Sequence, residues 1–113
     1  MIEKWEILLL NSVVENEILK LPADLQARFL RISELLITLG ANSVGMPHVK
    51  HLEDKLWEIR LNGKENIARS IYFITPKKQI VILHTFIKKT QKTPKKALAL
   101  AKQRMKEITH DKI

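Results

Sequence analysis

The chain is 113 residues long, 45% hydrophobic and without cysteine, and it carries a formal net charge of +8. This length suits one domain with one core, and the lack of cysteine excludes a disulfide framework, a cysteine-ligated zinc site and a thiol nucleophile. The longest apolar runs, such as residues 7–10 and 80–83, are far shorter than the roughly 20 residues that span a bilayer. We therefore expect a single cytoplasmic domain over residues 1–113, with no membrane partner.

The positive charge is concentrated in the last third of the sequence. Residues 1–76 contain nine lysines and arginines against ten acidic residues, whereas residues 77–113 contain eleven against two, a net +9. Such an imbalance is typical of a surface that binds phosphate groups or an acidic partner. It is also compatible with lysines that only keep a C-terminal helix in solution.

The first 40 residues predict a strand and a helical hairpin. The segment from Trp5 to Leu10 is short and mostly apolar, which is typical of a strand. Ser12 can cap a short helix that ends at Pro22, and a second helix runs from Pro22 to Gly40. Apolar residues at steps of three and four give each helix one face that can cover a sheet, namely Val14, Ile18 and Leu21 in the first helix and Leu25, Phe29, Ile32, Leu36 and Leu39 in the second.

The rest of the chain predicts a loop, a strand meander and a final helix. Residues 40–54 hold two of the three glycines and two of the four histidines, and we interpret them as a loop. Thr93 and Pro94 predict the start of the last helix, with Thr93 as its cap. The overall prediction is an α+β fold in which the first strand and the hairpin pack on an antiparallel sheet of about four strands. Three of these strands are predicted at residues 56–61, 67–74 and 79–86.

One arginine lies where an apolar residue is expected. Arg69 alternates with apolar residues on one face of the strand at 67–74. Leaving a buried guanidinium without a partner costs roughly 3–5 kcal/mol. Arg69 therefore pairs with a carboxylate, either Glu58 or an acidic residue elsewhere, or it opens onto a solvated cleft.

The histidines give no metal signature. His48 and His51 lie three residues apart in the predicted loop without a third ligand at a zinc-like spacing, so we expect no metal site and no cofactor. His84 is predicted to share a face of the last strand with Ile80, Ile82 and Phe86, and it is either a satisfied core residue or a proton-transfer group. A histidine, a strand arginine and clustered lysines are together suited to metal-free RNA cleavage, in which protons move at the 2′-hydroxyl and the leaving oxygen while cations stabilise the phosphorane.

Three segments of the sequence resemble a known family. They read MPHVKHLEDKLWEIR, ARSIYF and ILHTFIKKTQKTPKKALALAKQRMKE, and the resemblance covers residues 46 to about 107. They closely resemble the phage-derived, HigB-like branch of the RelE/ParE toxin superfamily. The resemblance implies a RelE-like fold and the toxin of a type II toxin–antitoxin pair. Such toxins are ribosome-dependent mRNA endonucleases, which use the 2′-hydroxyl against the adjacent phosphate without metal.

The resemblance also implies roles for individual residues. Arg69 matches the strand arginine expected at the scissile phosphate, and Arg60 matches the second-strand arginine expected to support it or to bind the RNA backbone. Lys88 and Lys89 match the basic pair after the last strand. The lysines expected to bind the RNA backbone are Lys50, Lys92, Lys95 and Lys96.

The proton-transfer groups stay open at this stage. Many superfamily members place such a residue in the loop before the second strand, where His48, Lys50 and His51 lie here. RelE, like other members of the superfamily, uses a tyrosine near its C-terminus. The only tyrosine of this chain, Tyr72, lies instead on the third predicted strand. His84 or one of the lysines could take that role.

The resemblance implies three partners, namely a cognate helix-turn-helix antitoxin, the ribosome and mRNA. Two other functions remain as alternatives. One is a ParE-like inhibitor of DNA gyrase, because ParE proteins share this fold. The other is a non-catalytic basic binding module, such as a degenerate toxin.

Overall fold

A five-stranded sheet with helices on both faces forms the domain. The computed structural model describes residues 4–90 and 92–112, apart from the side chains of residues 109–112. The predicted α+β fold is confirmed. In chain order the elements are β1 (Glu6–Leu9), α1 (Ser12–Leu19), α2 (Ala23–Leu39), a 3₁₀ turn (Ala41–Ser43), β2 (Val49–Glu53), β3 (Leu56–Asn62), β4 (Ile67–Ile74), β5 (Gln79–Lys88) and α3 (Lys95–Lys112).

The strands lie in the order β1-β5-β4-β3-β2. The meander from β2 to β5 is antiparallel throughout, whereas β1 runs parallel to β5, with Glu6 opposite Gln79. The hairpin of α1 and α2 carries the chain from β1 at one edge of the sheet toward β2 at the other, and the meander then returns to β5 beside β1. No helix within residues 4–90 and 92–112 combines the length and the apolar character needed to cross a membrane.

Strand β2 lies where the sequence predicts a loop, so the sheet has five strands instead of about four. The sequence VKHLE does not indicate a strand, because Lys50 and His51 are both exposed and the register shifts between His51 and Glu53. Lysines and bulges are common on edge strands, where they discourage pairing with other molecules. A half-paired edge strand therefore lacks the apolar alternation by which the inner strands are predicted.

Two details of the hairpin differ from the prediction. The cap of α1 is Asn11 instead of Ser12, since Asn11 Oδ1 accepts a hydrogen bond of 3.1 Å from the Val14 backbone N–H. Leu39, predicted on the apolar face of α2, is 57% exposed because the helix ends there and the chain turns away. Ala41, just beyond the turn, is buried in the core.

A separate core lies on each face of the sheet. The hairpin packs on one face, and α3 packs on part of the other. Tyr72 belongs to the core under the hairpin and is 1% exposed, and burial raises the pKa of its hydroxyl. The core under α3 contains Leu56, Ile71, Phe73, Val81, Leu83, Ala97 and Ala101, with Met105 and Ile108 at its border.

A bulge in β5 changes the direction of His84. Ile71 lies opposite His84, but the next residue of β4, Tyr72, lies opposite Ile82, so Leu83 is an extra residue in the ladder. Ile82 therefore packs under the hairpin, whereas His84 shares the face of Ile71 under α3. The prediction that His84 shares a face with Ile80 and Ile82 is wrong for this reason, whereas Phe86, also predicted on that face, does lie beside His84.

We expect Gly40→Ala to destabilise the fold by about 1–3 kcal/mol. Gly40 has a φ of 89°, and a Cβ atom there would lie 2.9 Å from Trp5 Nε1. Gly45→Ala is the matched control, because a Cβ atom at Gly45 meets nothing within 4 Å. Urea unfolding measures both variants. Equal unfolding midpoints for the two would contradict the conformational role of Gly40.

Candidate active site

Four of the predicted catalytic and phosphate-binding residues come together on the sheet face that carries α3. Lys50 lies opposite Glu58 between β2 and β3, and Arg60 lies opposite Arg69 between β3 and β4. Lys88, at the end of β5, lies opposite Ile67. Because directly opposed residues share one face of a sheet, these side chains form one group. We call Lys50, Glu58, Arg60, Arg69, Lys88 and Thr93 the basic cluster.

Glu58 lies at the centre of the basic cluster and is 1% exposed. Its Oε2 atom is 3.3 Å from Arg60 Nη1 and 3.4 Å from Arg69 Nε. Its Oε1 atom accepts a hydrogen bond of 2.6 Å from the Thr93 hydroxyl. One carboxylate thus joins three residues from three segments of the chain.

Arg69 is buried and paired with Glu58, which is one of the two alternatives left open by the sequence. It is 1% exposed, and its Nη1 atom donates to Asn62 Oδ1 at 3.2 Å and to the Ala68 carbonyl at 2.8 Å. Burial lowers the pKa of its guanidinium, the charge of Arg60 lowers it further, and Glu58 opposes both effects.

Arg60 is the more accessible of the two arginines. Its side chain is 16% exposed, against 1% for Arg69. The resemblance implies that Arg69 meets the scissile phosphate and that Arg60 supports it or binds the RNA backbone. The depth of the two side chains favours the opposite arrangement, with Arg60 facing an incoming anion and Arg69 beneath it.

Lys88 and Lys89 occupy different environments although they are neighbours in sequence. Lys88 is 5% exposed, while Lys89 is exposed on the surface. Burial lowers the pKa of the Lys88 ammonium, and Arg69, Arg60 and Lys50 lower it further, against the opposing effect of Glu58. A lysine with a lowered pKa gives up its proton more readily, which suits a general acid.

The segment before α3 closes one side of the basic cluster. The Thr93 hydroxyl donates a hydrogen bond to Glu58, so the prediction that it caps α3 is wrong. The Pro94 carbonyl accepts hydrogen bonds from the backbone N–H groups of Ala97 and Leu98 at the start of the helix. Lys92 and Lys50, both exposed, line a pocket of about 260 Å³ beside Glu58 and Thr93. Two further predicted backbone contacts, Lys95 and Lys96, are exposed in the first turn of α3.

The two histidines near β2 differ in their relation to the basic cluster. The His48 carbonyl accepts a hydrogen bond of 2.8 Å from the Arg60 N–H, so His48 lies beside the cluster. His51 packs edge-on against Trp57, which borders the core under the hairpin, and its Nε2 atom is 2.8 Å from the Asp54 carbonyl. His51 therefore lies on the opposite face. In the part of the chain that the structure describes, no three His, Asp or Glu residues form a group that could hold a metal ion.

His84 belongs to a second polar network at the edge of β5. Its Nδ1 atom is 3.1 Å from Glu17 Oε2, and its ring stacks on Phe86 with centroids 4.9 Å apart. Arg104 Nη1 donates to Glu17 and, at 2.8 Å, to the Leu83 carbonyl. These contacts account for His84 without proton transfer, and its catalytic role stays a prediction.

Sequence reasoning missed Glu17, Arg104 and the contact made by Thr93. Arg104 and Glu17 are 87 positions apart, and Thr93 and Glu58 are 35 apart. Local patterns carry no signal for pairs so distant. The signal that existed was the lone Arg69 on an apolar face, which correctly indicated Glu58 as one candidate partner.

The fold and the basic cluster together define an α+β domain of RelE-like arrangement with a buried arginine–carboxylate centre. A family comparison agrees with this class. The model of the phage-derived Gp49-like proteins (DUF891) matches residues 16–106, which are 91 of the 113 residues. The chain belongs to this family, a family of HigB-like toxins, and the resemblance seen in the sequence is confirmed at that level. No curated protein matches the chain significantly.

Proposed function

We propose that this protein is the toxin of a type II toxin–antitoxin pair and cleaves mRNA on the ribosome without metal. The observation that carries the proposal is the basic cluster, in which four cations surround one buried carboxylate. Family membership supports the toxin half of the proposal. The cluster supports the nuclease half, because concentrated fixed cations stabilise the charge that develops on a phosphate during cleavage.

In this proposal the arginines bind and stabilise the reacting phosphate. Arg60, the more exposed arginine, contacts a phosphate oxygen with its planar fork of N–H donors. Arg69 holds the Glu58 carboxylate from beneath and adds positive charge at short range. Lys50, which lies opposite Glu58 on the neighbouring strand, supplies a further cation at the mouth of the basic cluster.

Two proton transfers complete the proposed reaction. The 2′-hydroxyl gives its proton to a base in the segment around β2, for which His48, beside the basic cluster, is the candidate. The 2′-oxygen then bonds to phosphorus while the bond from phosphorus to the 5′-oxygen breaks. Lys88 gives its proton to that leaving oxygen, so the products are a 2′,3′-cyclic phosphate and a 5′-hydroxyl. Contacts of such groups with the reacting atoms often tighten only when substrate binds.

The exposed lysines bind RNA away from the reacting phosphate. Lys89, Lys92, Lys95 and Lys96 are all exposed around the start of α3, so they can follow the ribose-phosphate backbone. The same surface offers a docking site for the antitoxin, which we expect to be a small helix-turn-helix protein that covers the basic cluster with an acidic segment.

Controlled expression with mapping of RNA ends tests the proposed function. We expect growth arrest and new 5′ ends within translated mRNAs, as read by primer extension. An Arg60→Gln, Lys88→Met double variant, expressed to the same level as the wild type, is the inactive control and should cause neither growth arrest nor new 5′ ends. Growth arrest with uncut mRNA and a DNA-damage response would support gyrase inhibition instead. Normal growth with abundant wild-type protein would support a non-catalytic binding module.

A further inference from the structure

We propose that Glu58 is a positioning residue that, together with Thr93, sets the geometry of Arg60 for phosphate binding. The inference rests on the proposed nuclease function, and it assigns a role to two residues that the cleavage steps above do not use. Neither residue contacts RNA in this scheme. Glu58 acts through the arginines, and Thr93 acts through Glu58.

The two arginines of the basic cluster repel each other. Arg60 and Arg69 are directly opposite each other on neighbouring antiparallel strands. Like charges in such a pair repel and destabilise it. Glu58 Oε2 lies 3.3 Å from Arg60 Nη1 and 3.4 Å from Arg69 Nε, so one oxygen holds both guanidinium groups. Without that negative charge, Arg60 would turn away toward solvent, because Arg69 is fixed by Asn62 and the Ala68 carbonyl.

The Glu58 carboxylate is itself fixed from the other side by Thr93. Thr93 is 8% exposed, and its hydroxyl donates to Glu58 Oε1 at 2.6 Å. The two carboxylate oxygens therefore face different segments, one toward the arginines and one toward the start of α3. This division prevents rotation of the carboxylate and links the segment that carries Lys92 to the position of Arg60.

Glu58 also influences the protonation of Lys88. The charged groups acting on Lys88 are Arg69 from β4, Glu58 and Arg60 from β3, and Lys50 from β2. Glu58 is the one among these that raises the pKa of Lys88. A neutral side chain at position 58 would therefore lower this pKa further. A residue with only a packing role would not change the pH dependence of the reaction.

The test uses isosteric variants of both residues and measures single-turnover cleavage of ribosome-bound mRNA across pH. We expect Glu58→Gln to lower kcat by about 10- to 100-fold, as misplaced catalytic groups do, with a smaller change in KM. Its loss of activity on the alkaline side should begin at lower pH than in the wild type. Thr93→Val should lower kcat by about tenfold, and Thr93→Ser should restore it, since serine keeps the hydroxyl donor.

The outcomes separate this inference from the proposed function. Wild-type kcat and an unchanged pH profile in Glu58→Gln would overturn the positioning role while leaving the nuclease proposal intact. Equal activity of Thr93→Ser and Thr93→Val would also overturn it, and this comparison holds even if Glu58→Gln fails to fold. A wild-type protein that leaves mRNA uncut would overturn the proposed function, and the inference with it.

Discussion

Replacing Arg60 by glutamine should lower mRNA cleavage by about 10²- to 10³-fold, the effect typical of losing one preorganised donor at a developing charge. The free energy of unfolding should change by less than about 1 kcal/mol, since Arg60 is partly exposed and Glu58 keeps Arg69 as its partner. Single-turnover cleavage and urea unfolding measure the two effects.

Arg69→Gln should behave differently, which makes the pair of variants informative. Removing one member of a buried ion pair typically destabilises a protein by about 3–5 kcal/mol. Arg69 is 1% exposed and fully enclosed, so we expect this variant to lose both stability and activity. Arg31→Gln, an exposed arginine on α2, is the control and should change neither. If Arg60→Gln cleaved like the wild type, Arg69 would instead be the residue that meets the phosphate.

Replacing Lys88 by methionine should reduce cleavage by about 10²- to 10⁴-fold, the range typical of a lost general acid. Lys88→Arg should be nearly as inactive, because arginine keeps the charge but does not release its proton at accessible pH. A general acid works only while protonated, so the wild-type rate should fall as pH rises through the lowered pKa of Lys88. This fall should begin below the ordinary lysine value of 10.5.

Lys89→Met provides the matched control for Lys88. Both changes remove one lysine charge, but Lys89 is exposed and Lys88 is buried in the basic cluster. We therefore expect Lys89→Met to raise KM modestly and to leave kcat and the pH profile unchanged. Equal effects of the two substitutions on kcat would show that the lysines only attract RNA, and the acid would have to be sought at His84 or elsewhere.

The sequence was sufficient for the main elements because their periodic patterns are local. The hairpin helices and the three inner strands all lie close to their predicted positions. Strand β2 was not predicted, because apolar and polar residues do not alternate in an edge strand with exposed polar side chains. The direction of the His84 side chain was not predicted, because a single extra residue, Leu83, shifts the register of β5. No residue type in this segment indicates a bulge.

The candidate site was partly predictable for a similar reason. Arg60, Arg69 and Lys88 come together as the family resemblance implies, since strand residues of the same face converge once the meander forms. Their relative depth was not predictable, because it depends on how the segment around Thr93 packs on β3. His51 could not be assigned to a face while β2 was interpreted as a loop.

The pairing of the first strand with the last has a consequence for synthesis of the chain. Strand β1 can pair with β5 only after Gln79, the partner of Glu6, has been made, and the hydrogen bond from Arg104 to Glu17 spans 87 positions. Contacts so distant in sequence form late in folding, because the chain between them must be made first. The hydrogen bond from Thr93 to Glu58 spans 35 positions, and Thr93 follows all five strands in the chain. A nascent chain that has not reached Thr93 therefore lacks the contact that fixes Glu58.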